Sequence, residues 1–100
     1  GELREFSLAA AIQPRAGLRA EICADPRAVW EAALAHCVAH SRRGEEAGRK
    51  WAYGVWRGVY PDSKLPAGWF NAPWPDAPRA EAVALVEREI KRFRKQRRAA

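Results

Sequence analysis

A chain of 100 residues, 48% hydrophobic and 30% charged, makes a single domain with a modest core. It holds no run of about 18 apolar residues, which excludes a membrane-spanning helix, and Glu2, Arg4 and Glu5 interrupt the apolar stretch that a signal peptide requires. Two cysteines, Cys23 and Cys37, cannot frame a disulfide scaffold, so the expected location is the cytoplasm.

The chain opens on Gly1 and has no methionine, which reads as a piece excised from a larger protein. Residues 1–24 carry a short apolar stretch from Phe6 to Ile12, interrupted at Pro14 and Gly17. They are expected to form a linker or arm, with residues 25–98 as a single helical domain.

A helix over about 26–43 is predicted. Asp25 is a preferred N-cap and Pro26 suits the first helical position, where no N–H is needed. Val29, Trp30, Ala33, Leu34, Cys37 and Val38 line one face, and Gly44 supplies the stop. Residues 45–48 read as a connector. A second helix over about 49–60 follows, with Ala52, Val55, Trp56 and Val59 inward and Lys50, Tyr53 and Arg57 outward. Gly54 and Gly58 each cost about 1 kcal/mol in a helix interior relative to Ala, a cost that close approach of another segment would offset.

Residues 61–78 carry five of the seven prolines, together with Trp69, Phe70 and Trp74. So long a segment without periodicity persists when its aromatics enter the core or bind a partner. At least one tryptophan is expected to plug the core. A third helix over about 79–97 carries the seam Val83, Val86, Ile90 and Phe93. Fold class follows: all-α, a three-helix domain with a helical hairpin, a Pro/Trp-rich loop and a basic C-terminal helix.

Charge is unevenly placed. Residues 1–87 hold 11 basic and 11 acidic side chains, whereas residues 88–98 hold seven basic ones against Glu89 alone. A localised basic stripe is the footprint of a surface for nucleic acid or another anionic partner. Arg88, Lys91, Arg92, Lys95 and Arg98 are therefore candidate phosphate contacts, extended by Lys50 and Arg57. Trp51 and Tyr53, beside these cations, are candidates for base stacking. Trp69 and Trp74 are candidates for docking a protein.

No Gly-x-x-x-x-Gly-Lys-Ser/Thr, Gly-x-Gly-x-x-Gly or Gly-x-Ser-x-Gly stretch occurs, and no catalytic residue is assigned. His36 and His40 are four apart beside Cys37, but no Cys-x-x-Cys or second ligand pair accompanies them, so no metal site is expected. A thiol on an apolar face is inert rather than catalytic.

The stretch Arg49-Lys50-Trp51-Ala52-Tyr53-Gly54-Val55-Trp56-Arg57-Gly58-Val59-Tyr60-Pro61 follows a helix that ends in His40-Ser41-Arg42-Arg43-Gly44. With the Leu65-Pro66 exit and the opening Gly1-Glu2-Leu3-Arg4-Glu5-Phe6, it resembles the C-terminal accessory region of bacterial DEAD/DEAH-box helicases of the RadD-like group. The resemblance spans about residues 1–78 and touches no catalytic motif. Lys50 stands where the family usually has Gly before the Trp, and Asp62-Ser63-Lys64 lengthens the exit.

The resemblance implies a parent that is an ATP-dependent DNA helicase acting in repair, with ATP and magnesium bound by motor domains outside this sequence. This part would need no cofactor. Its expected role is non-catalytic binding of DNA without sequence preference, as a monomer. Docking on the motor domains or on a repair partner is the alternative.

Overall fold

A computed structural model describes residues 12–18 and 25–99, with the side chains of the helix described as far as Arg97. Among the described residues there are three helices: α1, Pro26–His40; α2, Glu45–Val59; and α3, Ala80–Ala99. The fold is a small all-α domain, with no strand among the described residues.

Helix α1 begins as its sequence dictates. The Asp25 carboxylate accepts a 3.2 Å hydrogen bond from the Ala28 N–H, and Pro26 occupies the first turn. The helix ends at His40, three residues before the expected stop. Ser41 turns to extended backbone, and its Oγ accepts from the Arg43 N–H at 3.3 Å. A serine side chain that bonds the local backbone competes with the helix ladder, which ends it early.

Gly44, expected to close the first helix, instead opens the second. It sits at the N-cap of α2 with φ 95°, a conformation that costs glycine little. Residues 45–48 are therefore the first turn of α2 and not a connector. Glu45 and Glu46 suit that turn because the helix N-terminus favours negative charge, and they pair one turn on with Arg49 and Lys50.

The hairpin is closed by contact between backbones. A Cβ on Gly48 would lie 2.7 Å from Val38 Cα, so only glycine lets α1 and α2 cross here. Val29, Trp30, Leu34 and Cys37 of α1 meet Ala52, Val55, Trp56 and Val59 of α2, and Leu85, Val86 and Ile90 of α3 complete the core. Both central indoles keep a partner for their N–H: Trp56 Nε1 donates to the Pro26 carbonyl at 3.1 Å, and Trp30 Nε1 to the Trp69 carbonyl at 2.8 Å.

The buried stripe of α3 is rotated from the expected seam. Ala82, Leu85, Val86, Glu89 and Ile90 are buried, Val83 is half-buried, and Phe93 is 37% exposed. Glu89 draws the helix round. Its Oε1 accepts from Arg15 and from Arg92, each at 2.7 Å. Gly58 makes room, since a Cβ there would lie 2.5 Å from Glu89 Oε1 and 2.9 Å from Phe93 Cε2. Within the expected arm, Ile12 is buried in the core, and Arg15 donates both to the Gly58 carbonyl and, through its backbone N–H, to that of Val59. Residues 12–18 thus lie against the domain.

Candidate nucleic-acid interface

Between the exposed sides of α2 and α3 runs a groove of about 570 Å³. From α2 it takes Lys50, Trp51, Gly54 and Val55, and from α3 Ile90, Phe93, Arg94 and Arg97. Helical spacing explains the first set: Lys50 and Gly54, and Trp51 and Val55, are each one turn apart. Spacings of three and four from Ile90 likewise bring Phe93, Arg94 and Arg97 to one side of α3. Sequence reading named Lys50 and Trp51 among its candidates. Arg94 and Arg97 are not among those candidates, and Phe93 is expected in the apolar seam of the third helix. Rotation of α3 by its Glu89 anchor brings all three to the groove.

The floor is apolar, with Val55 and Ile90 buried, and Trp51 and Phe93 offer aromatic surface, the Phe93 ring with the Arg92 guanidinium 5.3 Å from its centre. Three cations line the groove and no carboxylate does. Lys50 meets Glu46 at 3.7 Å, but both are well exposed, and such a pair holds weakly. Among the described residues, Arg94 and Arg97 make no ion pair. The Trp51 ring stands edge-on to His36 with centroids 6.0 Å apart, and His36 stacks on His40 at 4.3 Å. Burial, followed by the charges of His40 and Arg94, holds His36 below the usual imidazole value against the opposing pull of Glu87. That disfavours its protonated form and leaves Lys50, Arg94 and Arg97 as the source of positive charge.

Arg88, Lys91 and Lys95 are exposed on the outer face of α3 and make no ion pair among the described residues. The Arg98 side chain lies outside those described. Arg92, also a candidate phosphate contact, turns inward to Glu89, with its Nε at 3.1 Å and Nη2 at 2.7 Å.

Arg57 and Tyr53 sit together but away from the groove. Arg57 Nη1 donates to the Tyr53 hydroxyl at 3.2 Å, and Nη2 donates to the Pro61 carbonyl at 3.0 Å. The pair fixes the exit of α2, and neither side chain lines the groove.

The loop tryptophans are turned to the chain itself. Trp69 packs edge-on to Trp56 at 6.3 Å, with the Arg27 guanidinium 5.1 Å from its ring centre. Trp74 lies under Arg49 at 5.1 Å. Arg49 is the tie that sequence reading missed. It is nearly buried, donates to the Phe70 carbonyl at 2.6 Å and to that of Ala72 at 3.2 Å, and is steadied by Glu45 at 3.1 Å. The Glu45–Arg49 spacing was its one sequence signal, and it was hidden by reading residues 45–48 as a connector.

No group of three His, Cys, Asp or Glu side chains is placed to hold a metal among the described residues. Cys37 is fully buried, and burial pushes its thiol up to about 12. No described helix is long and apolar enough to cross a membrane. No family model, curated protein or solved structure matches the chain.

Proposed function

We propose that this domain is a non-catalytic nucleic-acid-binding module, an accessory part of an ATP-dependent DNA helicase of bacterial repair. The observation that carries the binding reading is the convergence of Lys50, Arg94 and Arg97 on a groove with an apolar floor and two aromatic sides. Arg88, Lys91 and Lys95 continue the positive charge along α3. Cations that meet phosphate position a protein on its nucleic acid without reading sequence, and aromatic surface beside them accepts bases of any kind.

The helicase assignment rests on the resemblance in residues 1–78. In such a parent, ATP and magnesium belong to the motor domains, and this domain adds grip on the strand. Docking on the motor domains or on a partner through Trp69 and Trp74 has less to work with, because both rings are engaged by Arg27, Trp56 and Arg49.

The test is a fluorescence-anisotropy titration against labelled single- and double-stranded DNA at low and at physiological salt. Binding of about micromolar strength that weakens steeply with salt supports the reading. No binding at low salt overturns it and leaves the basic helix as a protein-docking feature.

A further inference from the structure

Helix α2 holds three glycines, and packing among the described residues explains two of them. Gly48 is required by the crossing with α1 and Gly58 by the approach of Glu89 and Phe93. Gly54 differs. A Cβ there would meet nothing within 4 Å, and its backbone is ordinary right-handed helix. Glycine weakens a helix interior, and nothing among the described residues compensates at this position. Gly54 also lines the groove, beside Trp51 and Val55 and across from Phe93 and Arg94.

We infer that the space over Gly54 receives an unstacked base of a single-stranded nucleic acid, with Trp51 and Phe93 against the base and Lys50, Arg94 and Arg97 on the adjoining phosphates. The inference rests on the nucleic-acid reading above and names its strand class. A lining of three cations without a carboxylate selects an anion. The Val55 and Ile90 floor with its two aromatic sides selects a flat, weakly polar face. A nucleotide within a strand supplies both features at once. Duplex DNA presents phosphates but keeps its bases stacked, so it reaches the groove only by extruding one. With Lys50, Arg94 and Arg97 on phosphates, the Trp51 indole N–H is the one polar side-chain group the lining leaves for a base edge, too little to read sequence, so the groove is tolerant of it.

The test replaces Gly54 with Gln, which fills the open space without adding charge and favours the helix, so the fold is retained and the melting temperature does not fall. Anisotropy is read at low salt for a labelled oligo-thymidine, an abasic strand of equal length and a duplex. G54Q is expected to weaken oligo-thymidine binding about tenfold and to leave the abasic strand and the duplex unchanged. An unchanged oligo-thymidine affinity, or an equal loss on all three probes, overturns the groove assignment while the nucleic-acid reading stands. Failure of the unsubstituted chain to bind any probe overturns both.

Discussion

Arg15 Nη1 lies 2.7 Å from Glu89 Oε1, a contact that spans 74 residues and joins the N-terminal segment to the third helix. Glu89 is 2% exposed, and Arg92 approaches the same oxygen. Burial pushes this carboxyl up, but the hydrogen bonds from Arg92 and Arg15 outweigh it and hold its pKa below the usual carboxylate value. A carboxylate depressed in the folded state stabilises above its unfolded pKa of about 4.3, and that contribution is lost as pH falls through the folded value. Glu89→Gln is therefore expected to cost about 2 kcal/mol at pH 7, less than a fully enclosed pair because both arginines keep some water. The melting-temperature gap between the two proteins should shrink below about pH 4. A gap as wide at pH 3 as at pH 7 would show that the charge of Glu89 is not what holds the arm.

Gly48 and Gly54 lie in one helix and should respond oppositely to the same change. Gly48→Ala drives a Cβ to 2.7 Å from the Val38 Cα, a backbone atom that cannot swing aside. The expected loss is about 2 kcal/mol, or roughly 10 °C in Tm. Gly54→Ala meets open space and should raise stability by about 1 kcal/mol. Thermal melts followed by circular dichroism compare the two directly; two shifts of the same sign would contradict this account of the hairpin.

Local chemistry was legible in the sequence, and long-range chemistry was not. Asp25-Pro26 marked the start of α1 because cap and first turn are set by adjacent residues. Val55, Trp56 and Val59 marked the buried side of α2 through their spacing. The end of α1 was misread because Gly44 suits a stop and a start equally, and Ser41 settles which. Arg92 counted as a free cation because nothing in a linear reading shows that Glu89 is buried beside it. For the same reason half the groove was missed: the rotation of α3 depends on Arg15 and Gly58, both distant in sequence. Lys50 and Trp51 were visible as a cation beside an aromatic ring, whereas their partnership with Phe93, Arg94 and Arg97 arises only from packing.

Trp69 acts as part of the core. Its ring packs against Trp56, and its carbonyl accepts the Trp30 indole N–H at 2.8 Å. Trp69→Ala removes the ring and loosens the loop that carries this carbonyl. A half-buried tryptophan should cost about 2 kcal/mol, below the ~3–5 kcal/mol of a fully buried one. The loss should be visible in denaturant unfolding with no partner present. A variant of unchanged stability would return Trp69 to the candidates for protein docking.

Cys37 faces the helix interface with no exposed surface, and a thiol pushed up to about 12 holds almost no thiolate at pH 8. With Cys23→Ser removing the second thiol, the native domain should resist a disulfide reagent at pH 8 and react fully in denaturant. The slow labelling that remains in native buffer should follow the opening of the domain, so Gly48→Ala should speed it. Rapid labelling of the unsubstituted fold would place Cys37 in contact with solvent.

Arg88, Lys91 and Lys95 are exposed and unpaired among the described residues, so replacing all three with Glu should change stability little. Their effect should fall on binding. Each phosphate neutralised on duplex DNA contributes about −0.9 to the slope of log affinity against log salt. The triple variant should therefore bind duplex more weakly at every salt concentration and lose about 2–3 from the magnitude of that slope. Gly54→Gln blocks the groove without altering charge and should leave the slope intact. Equal slopes for the triple variant and the unsubstituted chain would remove the outer face of α3 from the interface and leave only Lys50, Arg94 and Arg97 to meet phosphate.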